Sequence, residues 1–351
     1  MGVNGQTGKR RRWLRSVVLG VSLLIPALIV AGAVYEQVAE IVIAKRHPPR
    51  GSLYDVGGHR LHLYCTGQGP ATVVFDSALG GYSNDWSDVQ PEVAKFARAC
   101  SLDRAGFGWS DPGPLPRDAR SETAEIHALL TRSAERGPYV LVGNSLGGLH
   151  AQLYTLEFPD EVAGLVLVDS GHPEQMERLP PSPFDEGIIA RVTLMRRLAP
   201  LGIPRLLGVC KDDHNAPIAD CGRFFDTVHA ELESVIASMH EVRDAFGASL
   251  HPEPGSKPPF GGKPLVVLSR NPSWGRMDPE SLKRGWQVLQ TELVALSLNS
   301  RRTIAPTGIG HYIHEQQPKL VVDAIHDVVS SVNSGALLAP SPKSESTVTP
   351  R

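Results

Sequence analysis

No excess of either charge marks this chain: 35 Lys and Arg stand against 37 Asp and Glu, a formal net charge of -2. So even a balance gives no electrostatic footprint for nucleic acid, and no nucleic-acid partner is expected. The 13 histidines include neither a His-Glu-x-x-His motif nor any Cys/His ligand spacing, so nothing calls for a metal. No internal repeat is found. A myristoylation signal is missing too, because Gln6 stands where serine or threonine is required. Cysteine is scarce, with only four in 351 residues.

One absence is informative by its position. No charged residue occurs from Ser16 to Tyr35, and Lys9, Arg10, Arg11, Arg12 and Arg15 precede that run. Its 20 residues, at about 1.5 Å each in a helix, reach about 30 Å, one hydrocarbon thickness. Residues 1–15 therefore read as a basic cytoplasmic segment, 16–35 as a transmembrane signal-anchor, and everything after Glu36 as exported. The alternative is a signal peptide cleaved at Ala31-Gly32-Ala33, which yields a secreted protein, although the apolar run is long for one. Pro26 is compatible with a membrane helix. All four cysteines, Cys65, Cys100, Cys210 and Cys221, lie beyond the run, where disulfides persist, and three pairings are possible.

Residues 36–50 read as a polar tether. With 41% hydrophobic content the chain can bury one large core. Extended runs at Ser52–Val56 and Arg60–Cys65, joined by Gly57-Gly58, predict a hairpin. The continuous apolar run Ala71–Phe75 predicts a strand buried on both faces; Ala97–Leu102, Tyr139–Val142, Gly164–Val168 and Leu265–Leu268 predict further strands, and a short strand is expected near Thr303–Ala305. Helical periodicity appears at Ser121–Arg136, from Gly148 to about Tyr154, at Ser281–Leu296 and at Pro318–Val332. The alternation implies a mostly parallel sheet with helices on both faces. It divides into a first core part at 51–170 and a second at 263–333, interrupted at 171–262 by a Pro-rich insertion with helices near Gly187–Leu201 and Arg223–Phe246. The insertion reads as a helical lid. The Ser/Pro-rich tail, 334–351, is expected to be disordered.

Gly143-Asn144-Ser145-Leu146-Gly147 lies between one of these strands and a helix. In such a turn the serine takes strained backbone angles, and glycine on either side removes collisions that a side chain would cause. Composition alone produces G-x-S-x-G about once in every four chains of this length, so context has to decide. Context comes from three further segments in order: Val73–Trp86 with its Gly80-Gly81 loop, Asp103-Arg104-Ala105-Gly106-Phe107-Gly108-Trp109-Ser110-Asp111, and Gly310-His311-Tyr312. With these, Ser52–Val332 resembles the serine branch of the α/β-hydrolase superfamily.

The resemblance implies an α/β-hydrolase fold, esterase- or lipase-like with a lid, that cleaves a carboxylic ester or related acyl bond through an acyl-enzyme without a cofactor. Ser145 is the expected nucleophile and His311, after the last strand, the base, with His314 a rival. For the acid the family's usual position follows the seventh strand, but Ser269-Arg270-Asn271-Pro272-Ser273-Trp274 offers no carboxylate. Some relatives place it after the sixth strand, which implies Asp169, with Asp278 or Glu280 as alternatives. Backbone N–H groups of Leu79 and Leu146 are the expected oxyanion donors. Asp103, Arg104 and Asp111 are expected to knit their loop. The family's strand order makes Cys65 and Cys100 neighbours, which leaves Cys210 with Cys221 inside the lid. Two other readings stay open: amide or peptide hydrolysis on the same machinery, and a hydrolase-fold binding protein without turnover. A lipid-like or other small ester is the expected partner.

Overall fold

A computed structural model describes residues 4–180, 185–210, 218–251, 253, 255–273 and 279–340. Eight strands form one sheet in the order β1-β2-β4-β3-β5-β6-β7-β8: Ser52–Asp55, Arg60–Thr66, Thr72–Asp76, Arg98–Asp103, Tyr139–Asn144, Val162–Val168, Leu265–Ser269 and Ser300–Ile304 for β1 to β8. β1 pairs antiparallel with β2 and β2 with β4, while every pairing from β4 to β8 is parallel. Helices of three turns or more are α1 (Asn4–Arg46), α2 (Ala119–Arg132), α3 (Leu146–Glu157), α4 (Asp185–Leu198), α5 (Cys221–Phe246), α6 (Glu280–Glu292) and α7 (Pro318–Ser334). Pro318 holds the first position of α7, where its missing N–H costs nothing.

The strand period of two divides the core between two faces. Leu141, Leu165, Leu167, Leu265 and Val267 join α2 and α3 residues such as Leu129 and Leu153 in one buried cluster. Their alternate neighbours Val140, Val142, Val166, Val168, Val266 and Leu268 pack with Val321, Ile325 and Val328 of α7 in the other. Continuous apolar runs are thus used on both sides, as a parallel sheet demands.

The chain divides into two compact units: one takes the N-terminal stretch to Pro48 together with Ala190–Phe225, the other Pro49–Ile189 and everything from Asp226 onward. The division falls inside the 171–262 insertion, at Ile189/Ala190 and at Phe225/Asp226. Along α5, Met239, Val242 and Phe246 recur at helical spacing and belong to the same buried cluster as α2 and α3, so this half of the insertion packs into the core. In the first unit, Cys210 and Cys221 are bonded with Cα atoms 5.8 Å apart.

Three local expectations change. Residues 36–46, read as a tether, continue α1, because the first proline or glycine after Tyr35 is Pro48. Helix α3 starts at Leu146 rather than Gly148, directly at the serine. Within the expected disordered tail, residues up to Ala339 are held: the Leu338 N–H donates to Asn299 at 2.8 Å, and Arg301 donates to the Ala339 carbonyl at 3.2 Å. Residues 341–351 lie outside the described residues.

Candidate active site

Ser145 caps the N-terminus of α3 with φ 53° and ψ -110°, a conformation costly for any residue but glycine. The fold over-determines it. Ser145 N–H donates to Val168 O at 3.3 Å, and its carbonyl accepts from Gly148 and Gly171 at 3.1 and 2.9 Å. A Cβ on Gly143 would stand 2.3 Å from the Gly147 carbonyl oxygen, and one on Gly147 would stand 2.5 Å from that of Asp76. Both glycines are thus dictated by close backbone approach. Ser145 itself is partly exposed in an otherwise buried run.

The neighbouring side chain ties the elbow to the far end of the chain. Asn144 Nδ2 donates to Val168 O at 2.7 Å and to the backbone carbonyl of His311 at 3.3 Å. His311 Nδ1 lies 2.6 Å from Asp169 Oδ2. Asp169 directly follows β6, is fully buried, and has φ 43°. Its other oxygen accepts from the Arg270 N–H and from Trp286 Nε1, both at 2.9 Å. The Arg270 guanidinium in turn covers the Trp286 ring, 4.3 Å from its centroid. Burial alone would raise the Asp169 pKa, but the His311 hydrogen bond and the Arg270 charge outweigh it and hold the carboxyl below its ordinary range. An ionised carboxylate fixes the His311 proton on Nδ1, leaving Nε2 as the basic nitrogen.

The other candidates separate clearly. Glu280 is exposed and pairs with Lys283 at 3.1 Å, while Asp278 lies outside the described residues. His314 is fully buried with its ring 4.5 Å from that of Trp86; burial and the nearby His311 push its pKa down to about 3. Leu146 opens α3, so its N–H is one of the donors a helix start leaves without an intrahelical partner. Leu79 sits in the turn closed by the Gly81 N–H to Ala78 O bond at 2.9 Å. The adjacent Gly80 N–H is already engaged by Glu231 Oε2 at 3.0 Å.

Asp103 and Asp111 do knit their loop: Asp103 accepts from the N–H groups of Ser83 and Trp109 at 2.8 and 2.9 Å, and Asp111 takes Arg60 in a bidentate pair. Arg104 does more. Buried, it donates to the carbonyls of Ser77 and Ala78 at 2.9 and 2.8 Å, to Asp76 at 2.6 Å, and to Glu231 at 2.9 Å. Behind it, His150 of α3 lies 2.7 Å from Asp76 and 3.1 Å from Glu122, the second contact too poorly aligned to count as a hydrogen bond. Burial opposes charge on His150, yet Asp76 and Glu122 push its pKa up to about 9. Glu231 is pushed up to about 7 by burial, with Glu122 adding to it and Arg104 opposing. Sequence reasoning missed Glu231, His150 and Glu122; their only signal was a charged or polar residue on the apolar side of a helix.

Cys65 and Cys100 form the second disulfide, directly opposite in the β2–β4 register with Cα atoms 4.0 Å apart. Closely facing antiparallel residues stand nearer than the usual disulfide spacing, at about 4.5 Å. A cluster with metal-ligand geometry, His172, Glu174 and Glu292, already holds a cation: Arg178 bonds Glu174 at 2.9 Å and Glu292 at 2.5 Å.

Comparison with known proteins fits this architecture. A family model described as alpha/beta hydrolase fold matches residues 71–196. The uncharacterized protein YbdG of Bacillus subtilis (strain 168) is 27% identical over 128 residues, which are 36% of this chain and 39% of that protein. The match thus spans well under two thirds of that relative. A 2-hydroxy-6-oxononadienedioate/2-hydroxy-6-oxononatrienedioate hydrolase of Paraburkholderia xenovorans (strain LB400) is 28% identical over 236 residues, 63% of this chain and 75% of the relative. Among solved structures, the enol-lactonase from Burkholderia xenovorans LB400 superposes with a TM-score of 0.55 at 18% identity, covering 80% of this chain and 100% of the other.

Proposed function

We propose that this chain, which has an alpha/beta hydrolase fold, is a serine hydrolase that cleaves a carboxylic ester or related acyl bond. The observations that carry the reading are the Asp169–His311 hydrogen bond at 2.6 Å and a serine held in a strained turn whose neighbour Asn144 bonds the His311 carbonyl at 3.3 Å. An imidazole oriented by a buried carboxylate is what a weak hydroxyl nucleophile needs.

In the reaction, Ser145 Oγ attacks the acyl carbon while His311 Nε2 takes its proton. The carbonyl oxygen gains the electron pair and is met by the N–H groups of Leu79 and Leu146. Collapse expels the alcohol, which receives the proton from His311, and an acyl-enzyme remains. Water then attacks, His311 takes its proton, and the acid and free Ser145 are released. No cofactor enters these steps. Serine in the elbow sets the chain apart from relatives that use aspartate there as nucleophile.

The N-terminal segment supports a membrane anchor. Arg10–Arg46 is one helix that carries an 18-residue stretch of mean hydropathy 2.6 with no residue of that stretch buried, and the basic residues before the uncharged run favour a cytoplasmic N-terminus with the hydrolase exported.

A fluorophosphonate probe tests the chemistry. The wild-type chain should label and turn over simple esters, and Ser145→Ala should do neither. Labelling that survives in Ser145→Ala, or a wild-type chain inert to probe and esters, refutes the proposal.

A further inference from the structure

Helix α1 changes character along its length. From Arg10 to Ala31 every residue is exposed. Beyond that, Gly32, Ala33, Glu36, Ala39, Glu40 and Ile43 form a covered stripe at helical spacing, while Val34, Val38, Ile41 and Val42 on the other side stay exposed. Part of the cover comes from the same compact unit. A Cβ on Gly32 would meet the Leu201 carbonyl oxygen at 2.4 Å, and one on Gly202 would meet the Tyr35 ring at 2.7 Å. The 199–202 turn therefore touches α1 inside its uncharged run, within one helical turn, about 5 Å, of Tyr35.

From Ala199 to Val209 the sequence is Ala-Pro-Leu-Gly-Ile-Pro-Arg-Leu-Leu-Gly-Val, with one charge. That charge is turned inward. Arg205 donates from Nε and Nη2 to Glu36 at 2.8 and 2.6 Å, from Nη1 to the Cys210 and Ile218 carbonyls at 3.4 and 3.1 Å, and from Nη2 to Ala219 O at 2.7 Å. All five guanidinium protons are thereby used, and a neutral, fully bonded pair is the form in which charge survives away from water. Outside it, Leu206 and Leu207 are 69% and 65% exposed, and Val209 is exposed as well. A segment that hides its one charge and shows its leucines is built for an apolar surrounding.

We propose that Ala199–Val209 is a second membrane contact, a foot that inserts Leu206, Leu207 and Val209 into the bilayer interface beside α1. The occupant is lipid, because the foot's apolar surface adjoins the uncharged run of α1, Ser16–Tyr35, whose residues up to Ala31 are all exposed. Interfacial elements sink about 5–10 Å into the headgroup and acyl boundary, which matches the level of the contact on α1. The inference rests on the membrane-anchor reading and makes the lipid surface part of the setting in which the insertion works.

The test uses the full chain in vesicles of phosphatidylcholine with brominated acyl chains, with an environment-sensitive fluorophore on Leu206→Cys, on Leu24→Cys, or on Leu298→Cys as a control. Leu298 is 72% exposed and lies outside this unit; the native cysteines are all in disulfides. Bromolipid should remove most of the emission at both 206 and 24. Quenching at 24 with none at 206 beyond that at 298 overturns the foot and leaves the anchor standing. No quenching at 24 overturns the anchor, and quenching at 206 in that case still supports interfacial contact. Emission at 206 that resists bromolipid but self-quenches between copies assigns the patch to a second chain and overturns the proposal.

Discussion

Asp169 and His311 are 142 residues apart in sequence and 2.6 Å apart in space. The carboxylate can orient the ring because Trp286 and the Arg270 N–H hold its second oxygen. Replacing Asp169 with Asn keeps the shape and removes the acceptor that fixes the proton on Nδ1. Ester turnover should fall by about 10⁴ in kcat, as loss of the correct tautomer does elsewhere, with little change in KM. A loss below about tenfold would remove Asp169 from the mechanism.

Arg104 anchors the loop that carries Leu79 through its bonds to Ser77 O and Ala78 O. Arg104→Met should leave Asp76, Glu122 and Glu231 with uncompensated burial and destabilise the fold by about 3–5 kcal/mol. Glu231→Gln is the milder probe, because it keeps the shape and can still accept from Gly80. It should lower kcat more than it raises KM if the loop positions an oxyanion donor. Denaturant unfolding of both variants, read against ester kinetics, separates the two effects.

His150 predicts a pH dependence of stability. Its folded pKa of about 9 exceeds the ordinary 6.5, so the folded state binds the proton more tightly. The stabilisation is complete below about pH 6.5 and lost as pH rises through about 9, amounting to about 3 kcal/mol. The raised Glu231 acts in the same direction between its ordinary 4.5 and about 7. Thermal unfolding should show a midpoint that falls across the upper window in wild type and much less in His150→Gln. An unchanged slope in the variant would assign the proton elsewhere.

What the sequence made legible follows from range. Strands β5 to β7 and their turns are local patterns, and Asp169 could be placed because it directly follows Val168. Glu231 could not. Its partner Arg104 is 127 residues away, and on α5 it occupies a position of the apolar stripe that ends in Met239, Val242 and Phe246. A charge there reads as a flaw in the pattern until its counter-charge is seen. Likewise the foot's Arg205 looks like an ordinary surface charge among leucines, because Glu36 lies 169 residues before it. The packing partner of the second half of the insertion is hidden for a related reason: an amphipathic helix shows that it packs, and not against what.

Gly147 offers the sharpest steric test. Its N–H donates to Ser77 O at 3.1 Å, so the elbow and the Leu79 loop touch at this point. The Cβ of Gly147→Ala would press against the carbonyl oxygens of Asp76 and Ser77 at 2.5 and 2.7 Å, both backbone atoms that no rotamer change relieves. Relief requires the two segments to separate, which moves Ser145 and Leu146 away from Leu79. A displacement near 1 Å costs about 10²-fold in rate, so kcat should fall at least that far. Gly80→Ala is the contrast: φ is +77° there, but the nearest atom is the Val228 side chain at 3.4 Å, and the cost should be about 1 kcal/mol of stability with a much smaller rate loss. Equal rate losses in the two variants would mean that elbow spacing does not set the rate.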